Sequence, residues 1–163
     1  MTISDEETGR LAEEFLAACR AKGILASTAE SCTGGLIIGA LTEIAGCSDV
    51  VDRGFITYSN EAKRDMLGVH EGVIVHVGAV SEEVARAMAE GAIAQSRAGI
   101  ALAVTGIAGP SGGSPDKPVG TVWFGVCRRG GTTIAERRVF AGNRETVRKQ
   151  TVAHALRLGL GLI

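Results

Sequence analysis

The stretch ILASTAESCTGGLIIGALTEI, from Ile24 to Ile44, decides the fold. Ile24 to Thr28 is short and apolar and reads as a buried strand. Ser31-Cys32-Thr33-Gly34-Gly35 supplies a tight turn, and Leu36 to Ile44 reads as an apolar helix ended near Gly46. Strand, turn and helix in that order form the unit from which α/β sheets are built. Upstream, Leu11, Phe15, Leu16 and Cys19 recur at helical spacing, so Ser4 to Lys22 reads as an amphipathic helix stopped by Gly23. Downstream, Val50 to Tyr58 reads as a strand, and Asn60 as the N-cap of a short helix, Glu61 to Leu67, closed by Gly68. Ser81 caps a helix to about Arg97, and Gly99 to Thr105 is a buried strand that feeds a glycine-rich loop from Gly106 to Pro118. Val119 to Cys127 and Thr132 to Phe140, joined by Arg128 to Gly131, carry a hairpin signal, and a last helix runs from about Asn143 to Leu160. The alternation predicts one three-layer α/β/α domain over residues 1–163. Its sheet is expected to be mixed and mostly parallel, because the hairpin adds antiparallel pairing.

Composition narrows the function. The 17 Lys and Arg balance 18 Asp and Glu, so no overall field draws the chain to nucleic acid or to an anionic membrane. No apolar run reaches the roughly 18 residues of a membrane span, and Met1 to Arg10 lacks the basic and apolar regions of a signal peptide. The cytoplasm is the expected compartment. Cys19, Cys32, Cys47 and Cys127 form no C-x-x-C pair, and His70, His76 and His154 are scattered, so neither a metal site nor a disulfide framework is expected. Glycine, 23 of 163 residues, is about twice its usual share of roughly 7%, which points to turns where backbone approaches something closely.

Ser31 stands where a strand becomes a helix, a place that exposes a side chain and aims backbone N–H groups at a developing oxyanion. That suits a nucleophile, although Ser31 or Thr33 could equally cap the helix. The flanks do not spell G-x-S-x-G, and Cys32 is either a rival nucleophile or a small packing residue. With no histidine nearby in sequence, Tyr58 and Lys63 offer another way to activate a hydroxyl. If Asn60 is the cap, Lys63 is the third helical residue, where the helix dipole disfavours positive charge and lowers the pKa of the amine. A lysine so placed can serve as a general base, or it can be a solvated surface residue. Tyr58 either orients the site or packs. Thr105 to Gly113 could cradle a phosphate or carboxylate on free N–H groups, yet lacks the Gly-Lys-Ser/Thr ending of a nucleotide triphosphate loop; a mobile connection is the alternative. Arg144 and Arg148, one turn apart, could grip a phosphate together or form a solvated helical face.

Taken together, Thr28-Ala29-Glu30-Ser31-Cys32-Thr33-Gly34-Gly35, Tyr58-Ser59-Asn60-x-x-Lys63, Thr105-Gly106-Ile107-Ala108-Gly109-Pro110 and Gly142-x-Arg144 resemble the CinA carboxy-terminal domain family over nearly the whole chain. The resemblance implies deamidation of nicotinamide mononucleotide to nicotinate mononucleotide and ammonia, in pyridine nucleotide recycling. It implies Ser31 as nucleophile, Lys63 as base and Tyr58 in support. Glu30, Cys32, Thr33, Gly34, Thr105, Gly106, Gly109 and Arg144 would then contact substrate, with no metal or organic cofactor. A small-molecule mononucleotide is the expected partner, and a homodimer or higher homo-oligomer the expected assembly. Two-domain relatives carry a preceding domain with pyrophosphatase activity, which is not expected here. Two other readings stay open: a mononucleotide sensor that uses the same loops without cleaving, and an amidohydrolase for another small amide.

Overall fold

The computed structural model describes residues 5–163, so the start of the first helix expected at Ser4 lies outside the described residues. Five strands form one sheet in the order β2-β1-β3-β4-β5, with β1 at Ala26–Glu30, β2 at Val51–Ile56, β3 at Ile100–Gly106, β4 at Thr121–Arg128 and β5 at Thr133–Val139. The pairs β1–β2 and β1–β3 are parallel, while β3–β4 and β4–β5 are antiparallel. Only β4 therefore runs against the other four, and the sheet is mixed, as the hairpin requires. Arg128–Gly131 closes that hairpin through the N–H of Gly131 on the carbonyl of Arg128.

Helices cover both faces. On one side lie α1 (Asp5–Lys22), α2 (Leu36–Thr42) and α6 (Arg144–Leu162), which bury Phe15, Leu16, Ile37, Leu41, Val147 and Leu156 against Ile100, Leu102 and Val104 of β3. On the other lies α5 (Glu82–Ala94), with α3 (Asn60–Leu67) and α4 (Glu71–Val77), over Ala101 and Ala103 of the same strand. The period of two in β3 thus sends large side chains one way and alanines the other. The small residues let α5 approach closely: a Cβ on Gly125 of β4 would stand 2.3 Å from the Ala85 carbonyl oxygen. Among the described residues no helix is long and apolar enough to cross a membrane.

Several boundaries differ from the sequence reading. β1 occupies Ala26–Glu30 instead of Ile24–Thr28, because its ladder continues to Glu30 opposite Ile56 and Val104. Ser59, not Asn60, caps α3, with its hydroxyl accepting from the N–H of Ala62. Glu71–Val77 forms α4, for which the sequence reading had no element; its β-branched run would favour a strand, but Ile74 packs against the α5 side of the core. Ser81 caps α5 as expected, and Asn143, where the last helix was expected to begin, is the cap of α6.

Candidate active site

Parallel pairing brings the carboxyl ends of β2, β1 and β3 to one edge of the sheet, where ligand sites of α/β folds gather. Ser31 follows β1 directly and is tied to the next strand by its N–H on the carbonyl of Val104, 3.1 Å away. Gly34 and Gly35, with φ of +56° and +104°, let the chain reverse into α2 at angles that a side chain would resist. The N–H of Gly34 closes the turn on the carbonyl of Ser31.

Glu30 holds this turn from beneath. Fully buried, its carboxylate accepts from the hydroxyls of Thr28 and Thr33 and from the N–H groups of Gly35, Ile37 and Ile38. The expectation that Glu30 contacts substrate is therefore corrected: its oxygens are spent capping α2, where a negative charge is favoured. Thr33 is also buried with its hydroxyl on Glu30, and neither Thr33 nor Gly34 lines the cleft with a side chain. Among the described residues, no oxygen accepts from the N–H groups of Cys32 and Thr33.

Lys63, only 1% exposed, reaches from the first turn of α3 to this point. Its Nζ lies 3.0 Å from Ser31 Oγ and donates to the carbonyl of Tyr58 at 3.2 Å. With Ser59 as cap, Lys63 is the fourth helical residue and not the third; the helix N-terminus still disfavours its positive charge. Burial pushes the Lys63 amine below the usual lysine range. The reading of Lys63 as a solvated residue is set aside. Cys32 is the weaker nucleophile by the same physics, since burial pushes its thiol up to about 12 and leaves it protonated near neutral pH.

Ser31 and Lys63 open onto a cavity of about 220 Å³, with Tyr58, Thr105, Gly106 and Arg144 around it. Thr105 donates its hydroxyl to the carbonyl of Ala79, 2.9 Å away, which fixes the segment before α5 as a wall. Arg144 donates to the carbonyl of Gly109 at 2.8 Å and lies 3.4 Å from Tyr58 Oη, so the two side chains share the rim. The sequence reading missed Asn60, Ala79, Val80 and Ala108 as lining residues. Asn60 was hidden by its expected role as a cap, and the others carry no polar side chain to signal a site.

Arg148 is placed differently from its neighbour one turn away. Its guanidinium donates to the carbonyls of Cys32 and Thr33, at 3.0 and 3.1 Å, and does not line the cavity, so Arg144 and Arg148 do not form a joint grip. His154 packs edge-on against Phe124 with centroids 4.8 Å apart, and none of the three histidines lines the cavity. Among the described residues, no group of three or more His, Cys, Asp or Glu is arranged to hold a metal ion.

The family model described as the CinA C-terminal domain matches residues 8–162. The nicotinamide-nucleotide amidohydrolase PncC of Escherichia coli (strain K12) is 49% identical over 154 residues, covering 94% of this chain and 93% of that protein. The protein of the same name from Enterobacter agglomerans is 48% identical over 158 residues, covering 97% and 96%. Among solved structures, the competence/damage inducible protein CihA of Agrobacterium tumefaciens superposes with a TM-score of 0.93 at 49% identity, over 99% of this chain and 98% of that one.

Proposed function

This chain belongs to the CinA C-terminal domain family, and from that premise we propose that it is an amidohydrolase converting nicotinamide mononucleotide to nicotinate mononucleotide and ammonia, with Ser31 as nucleophile and Lys63 as base. The observation that carries the roles is the 3.0 Å contact between Lys63 Nζ and Ser31 Oγ inside a buried site. A neutral lysine amine accepts the hydroxyl proton while donating to the carbonyl of Tyr58. Ser31 Oγ attacks the carboxamide carbon, the C=O pair moves to oxygen, and the N–H groups of Cys32 and Thr33 receive the oxyanion. Lys63 then delivers its proton to the departing nitrogen, ammonia leaves, and water cleaves the ester to release the acid and restore Ser31. Each step uses groups of the protein, and no metal or organic cofactor is called on.

Arg144, beside Tyr58 at the rim, is the proposed phosphate contact, since a guanidinium fork matches phosphate oxygens. The cytoplasm, where thiols stay reduced, suits the four free cysteines. A homo-oligomer accords with the half-exposed apolar side chains of Leu36 and Ile56, and sedimentation of the pure protein reads it.

The reading is tested by ammonia release from nicotinamide mononucleotide beside nicotinamide riboside, which lacks the phosphate. Release from the nucleotide and a large loss on the riboside are expected. Equal rates would remove the phosphate from recognition, and no release from either would reject the amide reading.

A further inference from the structure

The sequence pairs Arg148 with Arg144 as a possible phosphate grip, and the structure separates them. Arg148 instead spans 116 residues of chain to reach Cys32 O through Nε and, through Nη2, Thr33 O. These are the two carbonyls that follow the serine. We infer that Arg148 is a positioning residue for the oxyanion-binding N–H of the serine turn, an inference that rests on the reading of Ser31 as nucleophile.

The carbonyl of Cys32 and the N–H of Thr33 belong to one planar trans peptide unit and point in opposite directions. A donor fixed on that carbonyl therefore fixes the direction of the N–H. Because the donor is a cation, it also polarises the unit and strengthens the N–H as a donor at its far end. The second bond, to Thr33 O, holds the next unit, whose N–H at Gly34 closes the turn on the carbonyl of Ser31. One rigid fork thus sets two successive peptide planes, which a lysine ammonium on a flexible stem cannot do. The N–H groups of α2 do not offer a substitute, since Glu30 takes those of Gly35, Ile37 and Ile38. The Thr33 N–H has no oxygen acceptor among the described residues, and Cys32 on the same turn lines the cavity, so the turn that Arg148 holds is the one that meets charge developing on the substrate.

The test uses Arg148→Lys and Arg148→Ala beside the wild type and Arg144→Ala, with melting temperatures recorded for all. Steady-state ammonia release is measured on nicotinamide mononucleotide and on its riboside, with and without millimolar guanidinium. For the Arg148 variants kcat is expected to fall about 10- to 100-fold with KM little changed. The fold-loss in kcat/KM is the same on both substrates, and guanidinium restores part of the Arg148→Ala rate. Arg144→Ala loses mainly the preference for the phosphate. A rise in KM at unchanged kcat, or a loss confined to the nucleotide, would make Arg148 a phosphate contact and overturn the inference. Arg148→Lys carries the test if Arg148→Ala does not fold.

A second measurement stands apart from the substrate. A fluorophosphonate probe forms an Oγ–P bond at Ser31, expels fluoride and passes the hydroxyl proton to Lys63, with the phosphoryl oxygen seated on the same N–H groups. Labelling of Ser31, followed by mass spectrometry, is expected to slow by a similar factor in both Arg148 variants. Unchanged labelling rates would overturn the inference even if the amide is not the substrate. No labelling of the wild type would remove the activated serine on which it rests.

Discussion

A lysine amine closed off from water titrates unlike one on the surface. Desolvation disfavours the ammonium of Lys63, so its pKa falls, and the neutral form exists at pH values where a surface lysine is charged. A base must be neutral to act, so kcat should climb as pH rises through this depressed pKa and level off before the ordinary lysine range. Lys63→Met removes that limb together with most of the turnover; a pH–rate profile in which the limb survives would contradict the role. Stability moves the same way with pH. Below its folded pKa a protonated Lys63 imposes its full cost, and that cost fades as pH rises toward the unfolded value. Lys63→Met should therefore stabilise the protein at neutral pH by about 1 kcal/mol, or about 2–4 °C in melting temperature. Calorimetry across pH checks this. At this scale Ser31, Tyr58 and Lys63 were legible because their types and spacing carry chemistry. Glu30 and Arg148 were not, because sequence spacing does not say where a long side chain ends. Arg144 and Arg148 share a helical face, yet one meets Gly109 and the other the serine turn.

Elements place these residues through caps and close approaches. α2 begins without a side-chain cap at Gly35, and the carboxylate of Glu30 fills that role from the end of β1. Glu30→Gln would turn an amide NH₂ toward donors and leave buried N–H groups without an acceptor, at about 2–4 kcal/mol. Urea unfolding measures it, and a loss under 1 kcal/mol would reject this account of the turn. Two glycines separate close approach from accident. A Cβ at Gly125 would stand 2.3 Å from a backbone oxygen, whereas one at Gly39 in α2 meets nothing within 4 Å. Gly125→Ala should cost about 1–3 kcal/mol, and Gly39→Ala should stabilise by about 0.5–1 kcal/mol. The same urea curves read both, and equal effects would contradict the packing described. The element that escaped the sequence, α4, shows the limit of local signals: Val73, Ile74 and Val75 favour strand, and contact with the core overrides them.

Across the whole molecule, topology does the gathering. Ser31, Tyr58 and Thr105 lie at or just beyond the carboxyl ends of three neighbouring parallel strands, and Lys63 and Arg144 come from the first turns of the helices α3 and α6. The alternation of strands and helices made the layered fold and the mixed sheet readable from sequence. Which strands adjoin was not readable, and it is the adjacency of β1 to both β2 and β3 that closes the cavity. In the proposed enzyme this adjacency joins Ser31 to a lysine base for amide hydrolysis. The most direct test of that pairing is the turnover of nicotinamide mononucleotide by Ser31→Ala at saturating substrate, with substrate affinity measured alongside by calorimetry. A fall in kcat of about 10³-fold or more with affinity retained is predicted, and turnover within a few-fold of the wild type would contradict it.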